Sequence, residues 1–153
     1  MNTSELEHLI AEQIPFAKVL RLQLEEVSAG STRLLLRFDS TLLNHIGALH
    51  AGALFAGAET CALALGYTLL PTTEVICQTK AAELRFRKPA RSDLWATAQL
   101  RPNGEGGPES SSEELLARLT AEGKLDVPVL VALADQAGER VAEGTITLTL
   151  RRL

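Results

Sequence analysis

The pattern of apolar and polar residues divides the chain into helical and extended segments. Leu6 and Ile10 share one face of a short amphipathic helix that we expect over Ser4–Gln13, with Pro15 ending it. Period-two alternation beside short polar turns predicts strands joined in hairpins. The predicted hairpins pair Leu22–Ser28 with Thr32–Phe38, Glu74–Lys88 with Leu94–Arg101, and Val127–Asp135 with Arg140–Leu150.

A different pattern occupies the middle of the chain. Asp39–Leu49 follows neither period and is predicted to be a loop, whereas Ala51–Leu69 is apolar on every face and ends before Pro71. A helix without a polar face is buried on all sides. With a third helix over Ser112–Gly123, this order predicts a single α+β domain over residues 1–153, in which one antiparallel sheet curls around the central helix.

Composition and charge narrow the classes of function. The 153 residues are 46% hydrophobic and 22% charged, which is the balance of a soluble globular protein. The net charge of −4 is the opposite of the basic surface that nucleic-acid binders use, so no nucleic acid is expected as a partner. No uninterrupted run approaches the roughly 20 apolar residues of a membrane span, and the acidic start lacks the basic region of a secretory signal. We therefore expect a cytoplasmic location and no membrane partner.

The two cysteines predict neither a disulfide nor a metal site. Cys61 and Cys77 lie outside any CxxC motif and outside any Cys/His cluster with the spacing of metal ligands. Free thiols pack as small hydrophobic groups. We expect both to be buried and free, with no metal and no cofactor.

The segment over residues 44–60 holds the polar groups that are most unusual for their surroundings. Glu59 lies about two turns into the apolar helix, and carboxylates are rarely buried without a partner. It has either a chemical role or a place on one polar stripe, held there by a backbone donor or a lysine. His50 precedes it by nine residues, roughly 13 Å along a helix axis. If both groups serve one site, a second subunit must supply one of them.

Two further residues lie where the predicted loop enters the helix. Asn44 and His50 are close to the free backbone N–H groups of the helix start, which attract an oxyanion. A histidine at such a junction otherwise caps the helix or packs against it. Both interpretations stay open at the level of sequence.

The order of these residues resembles a known active-site signature. An asparagine, a histidine six residues later and an acid nine residues after the histidine, here Asn44, His50 and Glu59, resemble the signature of hotdog-fold thioesterases of the phenylacetate-degradation type. The segment Ala81–Ala90, which ends in Lys-Pro-Ala, is similar to the same family in order and spacing. The pair Gly123-Lys124 after the third helix resembles a less characterised branch of small hotdog proteins. The resemblance covers nearly the whole chain and implies the hotdog fold.

The resemblance also implies a role for each matching residue. Glu59 stands where the family has the acid that activates water or attacks the thioester carbonyl. The backbone N–H of Ala51 stands where the family has its oxyanion donor. Asn44 and His50 match positions that orient the carbonyl and the water from the partner subunit's side of the site. Thr79 matches a hydroxyl that positions the water.

Substrate-binding positions are expected on the central helix and in the one basic cluster of the sequence. Gly52 and Phe55 fall where the substrate is bound, with the acyl tail in an apolar tunnel near Leu54, Phe55 and Ala58. A basic cluster, formed by Arg85, Arg87, Lys88 and Arg91, either lines a solvated strand edge or meets the phosphates of coenzyme A. Lys88 and Arg91, beside the predicted turn, are the candidates for phosphate binding.

Two residues depart from the family pattern. The family has His-Gly-Gly where this chain has His50-Ala51-Gly52, and an alanine Cβ disfavours a positive φ at the oxyanion donor. The acid is a glutamate where aspartate is commoner, which moves the carboxylate about one methylene further from the helix.

The function implied is hydrolysis of an acyl-CoA thioester. The alternative is a non-catalytic hotdog protein that binds acyl-CoA or another acyl ligand. An open edge strand invites pairing with a second copy, so a homodimer with one continuous sheet is expected, and the resemblance adds a dimer of dimers.

Overall fold

The structure is a computed structural model that describes residues 3–28, 30–69, 74–101 and 112–153. Pro71, the predicted stop of the central helix, lies outside these ranges. The helices are α1 (Thr3–His8), α2 (Pro15–Val19), α3 (Ala51–Leu69) and α4 (Ser112–Glu122), with a π-helical turn at Leu9–Gln13 and a 3₁₀ turn at Ser40–Leu42. The strands are β1 (Gln23–Ser28), β2 (Ser31–Leu36), β3 (Val75–Phe86), β4 (Leu94–Leu100), β5 (Lys124–Ala134) and β6 (Arg140–Arg152).

The six strands form one antiparallel sheet in the order β1-β2-β4-β5-β6-β3. Helix α3 contacts the five neighbouring strands from β2 to β3. Five strands about 4.8 Å apart span roughly 19 Å when flat, whereas a helix with its side chains is only about 10–12 Å wide. The sheet must therefore curve around α3, which confirms the predicted α+β hotdog fold.

Close packing brings α3 against one side of the sheet. A Cβ added at Gly66 would lie 2.5 Å from the sulfur of Cys77 on β3 and 2.9 Å from Cδ1 of Leu148 on β6. Only a residue without a side chain permits this approach, so Gly66 sets the distance between α3 and the strands beneath it.

Burial of α3 is not complete, contrary to the prediction from its apolar composition. Positions that are exposed or half-buried recur every four residues and form one stripe, which we call the open stripe: Ala51, Phe55, Glu59, Leu63 and Tyr67. Residues four apart lie on the same face of a helix. The curved sheet covers the remaining faces and leaves this side of the helix uncovered.

Strand β3 occupies an edge of the sheet and pairs only with β6 among the described strands. The predicted hairpin of β3 with β4 is therefore wrong, whereas the β1–β2 and β5–β6 hairpins are confirmed. Burial explains the difference: the inward side chains of β4 are buried, and it lies between β2 and β5, whereas most residues of β3 after Cys77 are exposed. A short connection between two strands does not decide which neighbours bury them.

The N-terminal helical segment ends where it was predicted to end, but a further helix follows it. Together α1 and the π-helical turn cover residues 3–13, Ile14 is extended, and Pro15 begins α2, which was not predicted. Proline fits the first position of a helix because the N–H that it lacks has no intrahelical acceptor there. The expected apolar face is present, since Leu6 and Ile10 are both buried.

Helix α3 is the one helix of the described ranges that is long and apolar enough to cross a membrane by length and composition. The window that passes this test is 67% buried inside the fold. A core helix passes the same test, and α3 has the burial of a core helix.

Candidate active site

Glu59 lies in the middle of the open stripe and is half-buried. Its Oε1 accepts a hydrogen bond of 2.8 Å from the hydroxyl of Thr79 on β3. Within the described residues no lysine or arginine pairs with Glu59, and its Oε2 accepts no hydrogen bond. Lys80, the cation next to Thr79 in sequence, pairs instead with Asp126. A hydroxyl, rather than a lysine or a backbone donor, therefore holds this carboxylate and leaves one oxygen available for chemistry.

A β-bulge decides which residues of β3 face the helix. Thr79 pairs with Leu148 of β6 and Ala81 pairs with the next residue, Thr147, so Lys80 is the extra residue. Side chains alternate between the two faces of a strand. Thr79 faces inward with the buried Leu148, and after the bulge the even-numbered residues face inward instead. The bulge thus aims the Thr79 hydroxyl at α3 while it keeps the charged residues that follow on the outer face.

The cysteines near this carboxylate are not nucleophiles at neutral pH. Burial, and to a lesser extent the charge of Glu59, raises the pKa of Cys77 to about 12. Burial likewise raises the pKa of Cys61 to about 12. Both thiols are free and buried, as predicted. The thiolate is the reactive form, so neither cysteine offers a nucleophile beside Glu59 at neutral pH.

The start of α3 offers donors to a ligand. Nδ1 of His50 accepts a hydrogen bond of 2.9 Å from the backbone N–H of Gly52 and so caps the helix. An accepting Nδ1 places the proton of a neutral imidazole on Nε2. The N–H of Ala51 donates to no acceptor within the described residues. Capping and ligand binding are therefore compatible roles for His50, because they use different nitrogens.

The substitution of alanine in the His-Gly-Gly pattern does not strain the backbone. Arg21 is the one described non-glycine residue with a positive φ, so Ala51 has a negative φ that its Cβ tolerates. The N–H of Ala51 is accordingly available without a glycine at this position.

Asn44 shapes the loop before α3. Its Oδ1 accepts hydrogen bonds from the N–H groups of Ile46 (3.0 Å) and Ala48 (3.1 Å). Gly47, with φ of +70°, completes the tight turn. The side-chain NH₂ of Asn44 is not used within the described part of the chain and remains a donor for a ligand.

A surface pocket of about 310 Å³ lies beside this loop. Its lining brings Asn44 and Ala51 together with Leu54 and the end of β3, and it includes neither Glu59 nor Thr79. Ala51 and Glu59 are eight residues apart, or about 12 Å along the helix axis. One protomer therefore presents two separate half-sites. The acid half-site is formed by Glu59 and Thr79, and the donor half-site is formed by Asn44 and Ala51 at the pocket together with His50, which precedes Ala51 but is outside the pocket lining.

The two candidates for phosphate binding have different surroundings. Lys88 pairs with Asp135 at 3.4 Å and also with Glu139, and hydrogen bonds to these carboxylates raise its pKa. This arrangement opposes a phosphate-binding role for Lys88, because two carboxylates already exceed its single charge. Arg91 instead donates to the carbonyl of Gly47 at 3.2 Å, and no carboxylate of the described residues pairs with it.

Some features of the site were not predicted from sequence. Leu63 and Tyr67 continue the open stripe beyond Glu59, and their spacing of four residues was a signal that the uniformly apolar composition concealed. The bulge at Lys80 carries no comparable signal. Among the described residues, no three His, Cys, Asp or Glu side chains cluster in a way that could hold a metal ion.

Known structures resemble this fold over its full length. A protein of unknown function from Pseudomonas aeruginosa, described as a probable thioesterase, is 31% identical with a TM-score of 0.82, covering 100% of this chain and 97% of that one. The PaaI protein of E. coli, from the phenylacetic acid degradation operon, is 18% identical with a TM-score of 0.70, covering 98% and 92%. A thioesterase from Haemophilus influenzae is 15% identical with a TM-score of 0.77, covering 100% and 92%. At such low identity, the last two show the fold alone.

Sequence families give the assignment. None of the curated proteins matches the chain. The model of DUF4442, described as a domain of unknown function, matches residues 3–150. The hotdog resemblance is confirmed, and the chain belongs to the DUF4442 family.

Proposed function

We propose that this protein hydrolyses an acyl-CoA thioester to a free acid and CoA, with Glu59 as the catalytic carboxylate. The observation that carries the proposal is the hydrogen bond from Thr79 to Glu59 on the open stripe. A half-buried carboxylate that is held by a hydroxyl and has one free oxygen is suited to activate water. The similarity to a protein described as a probable thioesterase supports the same reaction.

The chemistry follows from the two half-sites. Oε2 of Glu59 accepts a proton from water while the water oxygen bonds to the thioester carbonyl carbon. The displaced electron pair moves to the carbonyl oxygen, where the Ala51 N–H, the Asn44 amide and Nε2–H of His50 offer donors. Collapse of this intermediate breaks the C–S bond and releases the CoA thiolate. Because ordinary thiols have a pKa of about 8.5, the thiolate leaves without a strong general acid.

Direct attack by Glu59 on the carbonyl carbon is the other route. It produces an acid anhydride that water then hydrolyses. A single turnover in ¹⁸O-labelled water distinguishes the routes, because only the anhydride route introduces ¹⁸O into the Glu59 side chain when water attacks its carbonyl.

The separation of the half-sites supports a homodimer. A two-fold axis beside the exposed edge of β3 would bring the acid half-site of one protomer to the donor half-site of its partner. Phe55 and Phe86 are 40% and 50% exposed near this edge, and burial in a dimer would remove both from water. A dimer of dimers is the larger assembly in the proposal. Light scattering at several concentrations tests it, and a monomer would contradict it.

Substrate contacts follow the open stripe. Of the predicted tunnel residues, Ala58 is buried by the protomer's own fold, Leu54 lines the surface pocket and Phe55 is exposed on the open stripe, so Leu54 and Phe55 are the residues proposed to meet the acyl group. Gly52 lies at the start of α3, where the thioester group of the substrate is proposed to bind. The phosphates of CoA are assigned to Arg91, because its charge is the less neutralised of the two candidates. A cytoplasmic location and one domain over residues 1–153 stay predictions.

Release of free thiol from a panel of acyl-CoA substrates tests the reaction. Glu59→Gln keeps the shape of the side chain but removes its basicity, so kcat should fall by about 10²- to 10⁴-fold. Glu26→Gln, the same change on the exposed strand β1, should leave kcat unchanged. Tight binding of acyl-CoA by wild type without thiol release would support the non-catalytic alternative.

Mixing two inactive variants tests whether each site spans two protomers. Glu59→Gln removes one half-site and Asn44→Ala impairs the other. If each site uses both chains, random pairing makes half of the dimers mixed, and each mixed dimer has one intact site. About one quarter of the wild-type activity should then return. No recovery after verified subunit exchange would place the whole site within one protomer.

A further inference from the structure

The bulge in β3 has an ion-pair network attached to it on the outer face of the sheet. Lys80, the extra residue, pairs with Asp126 of β5 across the intervening strand β6. Asp126 uses its other oxygen to accept a hydrogen bond of 2.6 Å from Thr149 of β6. These hydrogen bonds lower the pKa of Asp126, so both contacts are made to a carboxylate at neutral pH. The network links the three neighbouring strands β5, β6 and β3 at the same position along their length.

The network lies at the same position along the strands as the acid half-site. Asp126 is in register with Thr149, and Thr149 is in register with Gln78. The next residue, Thr79, is on the opposite face and donates to Glu59. The network and the hydroxyl that holds Glu59 therefore lie back to back on adjacent residues of β3.

We propose that Lys80, Asp126 and Thr149 form a positioning latch that fixes the bulge of β3 and so keeps the Thr79 hydroxyl aimed at Glu59. The latch does not touch the reacting atoms, and its residues act through Thr79. The kinetic part of this proposal rests on the proposed hydrolase function.

The need for a latch follows from the position of β3 at the edge of the sheet. Within the described part of one protomer, β3 is held by β6 on one side only, so its register must be set before the proposed dimer covers the other edge, and a shift of one residue exchanges its inner and outer faces. After the bulge, β3 passes so close to β6 that a Cβ at Gly144 would lie 1.8 Å from the carbonyl oxygen of Glu83. Only glycine can occupy this position of β6, so this part of β3 cannot shift its register. Loss of the bulge would therefore slip the part before it, and Thr79 would turn away from α3.

The latch is suited to positioning rather than to global stability. The side chains of Lys80 and Asp126 are 51% and 37% exposed, and exposed ion pairs contribute little to stability. A small free energy is enough to bias the choice between two registers of an edge strand. The main effect of breaking the latch is therefore expected in catalysis and in local opening of β3.

Lys80→Met tests the latch in the full-length protein, with Lys124→Met as its matched control. Lys124 is an exposed lysine on the same sheet, two residues from Asp126. It forms no ion pair within the described ranges, and its charge lowers the pKa of Asp126 less than Lys80 does. Lys80→Met should lower kcat about fivefold, as expected for the loss of one exposed ion pair, with KM changed less than twofold. Lys80→Arg should restore kcat, and Asp126→Asn should add no further loss to Lys80→Met. Lys124→Met should match wild type.

Hydrogen exchange of residues 78–82, followed by mass spectrometry, supplies a readout that does not depend on activity. It should accelerate in Lys80→Met and not in Lys124→Met. Unchanged kcat and unchanged exchange in Lys80→Met would overturn the latch, as would equal effects of the two lysine variants. If wild type releases no thiol from any substrate, the hydrolase proposal fails, while the exchange measurement still decides whether the latch holds the bulge.

Discussion

The close approach of α3 to the sheet at Gly66 gives a quantitative prediction. Gly66→Ala places a Cβ 2.5 Å from the sulfur of Cys77 and 2.9 Å from Cδ1 of Leu148. Both atoms belong to buried side chains, so the helix or the strands must shift. Overpacking of a core costs about 1–3 kcal/mol, and two simultaneous clashes favour the upper end. Alanine regains about 1 kcal/mol of helix propensity over glycine, which leaves a net destabilisation of about 2 kcal/mol.

Chemical unfolding followed by the fluorescence of Trp95, the only tryptophan of the chain, measures this change. At fixed protein concentration, 2 kcal/mol corresponds to a fall in Tm of about 4–8 °C for a chain of this length. The matched control is Gly57→Ala on the same helix. Its added Cβ would lie 3.6 Å from Cδ2 of Leu36, an ordinary contact, so helix propensity should stabilise that variant by up to about 1 kcal/mol.

A double variant identifies the cause of the destabilisation. Cys77→Ala removes the nearest clashing atom, so Gly66→Ala should cost at least about 1 kcal/mol less in the Cys77→Ala background than in wild type. The packing argument is refuted if Gly66→Ala is as stable as wild type, or if Gly57→Ala is destabilised to the same extent.

Three further measurements follow from the structure. Thr79→Val removes the hydroxyl donor to the proposed catalytic carboxylate and should lower kcat about 10- to 150-fold, since a hydrogen bond to a charged group contributes about 1.5–3 kcal/mol. Thr79→Ser should retain most activity, and an equal loss in both variants would contradict the role of the hydroxyl. Burial raises the pKa of Cys61 and Cys77 from 9.0 to about 12, so the unfolded state loses these protons at a lower pH than the folded state. The free energy of unfolding should therefore fall as the pH rises above 9. A disulfide reagent should label neither thiol until the protein unfolds. The backbone N–H of Glu139, with a smaller contribution from Lys88, lowers the pKa of Asp135 below its usual 3.8. The ionised carboxylate therefore stabilises the fold above that pH, and this contribution is lost as the pH falls through the lowered pKa. Asp135→Asn should lose less stability on acidification than wild type.

Local pattern was sufficient for the central helix and for the position of the candidate carboxylate. The central helix begins at Ala51 and ends at Leu69 as predicted, because a long apolar run rich in alanine can be satisfied only as a buried helix. Glu59 was identifiable for a related reason: a carboxylate within such a run is costly to bury unless something holds it. The donor that holds it, Thr79, followed from a resemblance and not from spacing.

Partners in the sheet were not determined by local pattern. Alternation shows that β3 and β4 are strands, but it does not show that β6 and β5 lie between them in the sheet. The open stripe was hidden for the same reason, since composition does not reveal how far a curved sheet reaches around a helix. Helix α2 was missed because Pro15 was interpreted only as the end of the preceding helix, whereas the residue that disfavours the interior of a helix is favoured at its first turn.

The sequence by itself determined the central helix and the position of the candidate carboxylate within it, since each depends on residues close together along the chain. The tertiary structure decided the pairing of β3 with β6 and the bulge at Lys80, after which the other set of β3 residues faces inward. It also decided the separation of the acid half-site from the donor half-site. These depend on contacts between residues far apart in sequence, such as Thr79 with Glu59 and Lys80 with Asp126. Their free energy arises only when the curved sheet brings those residues together around α3.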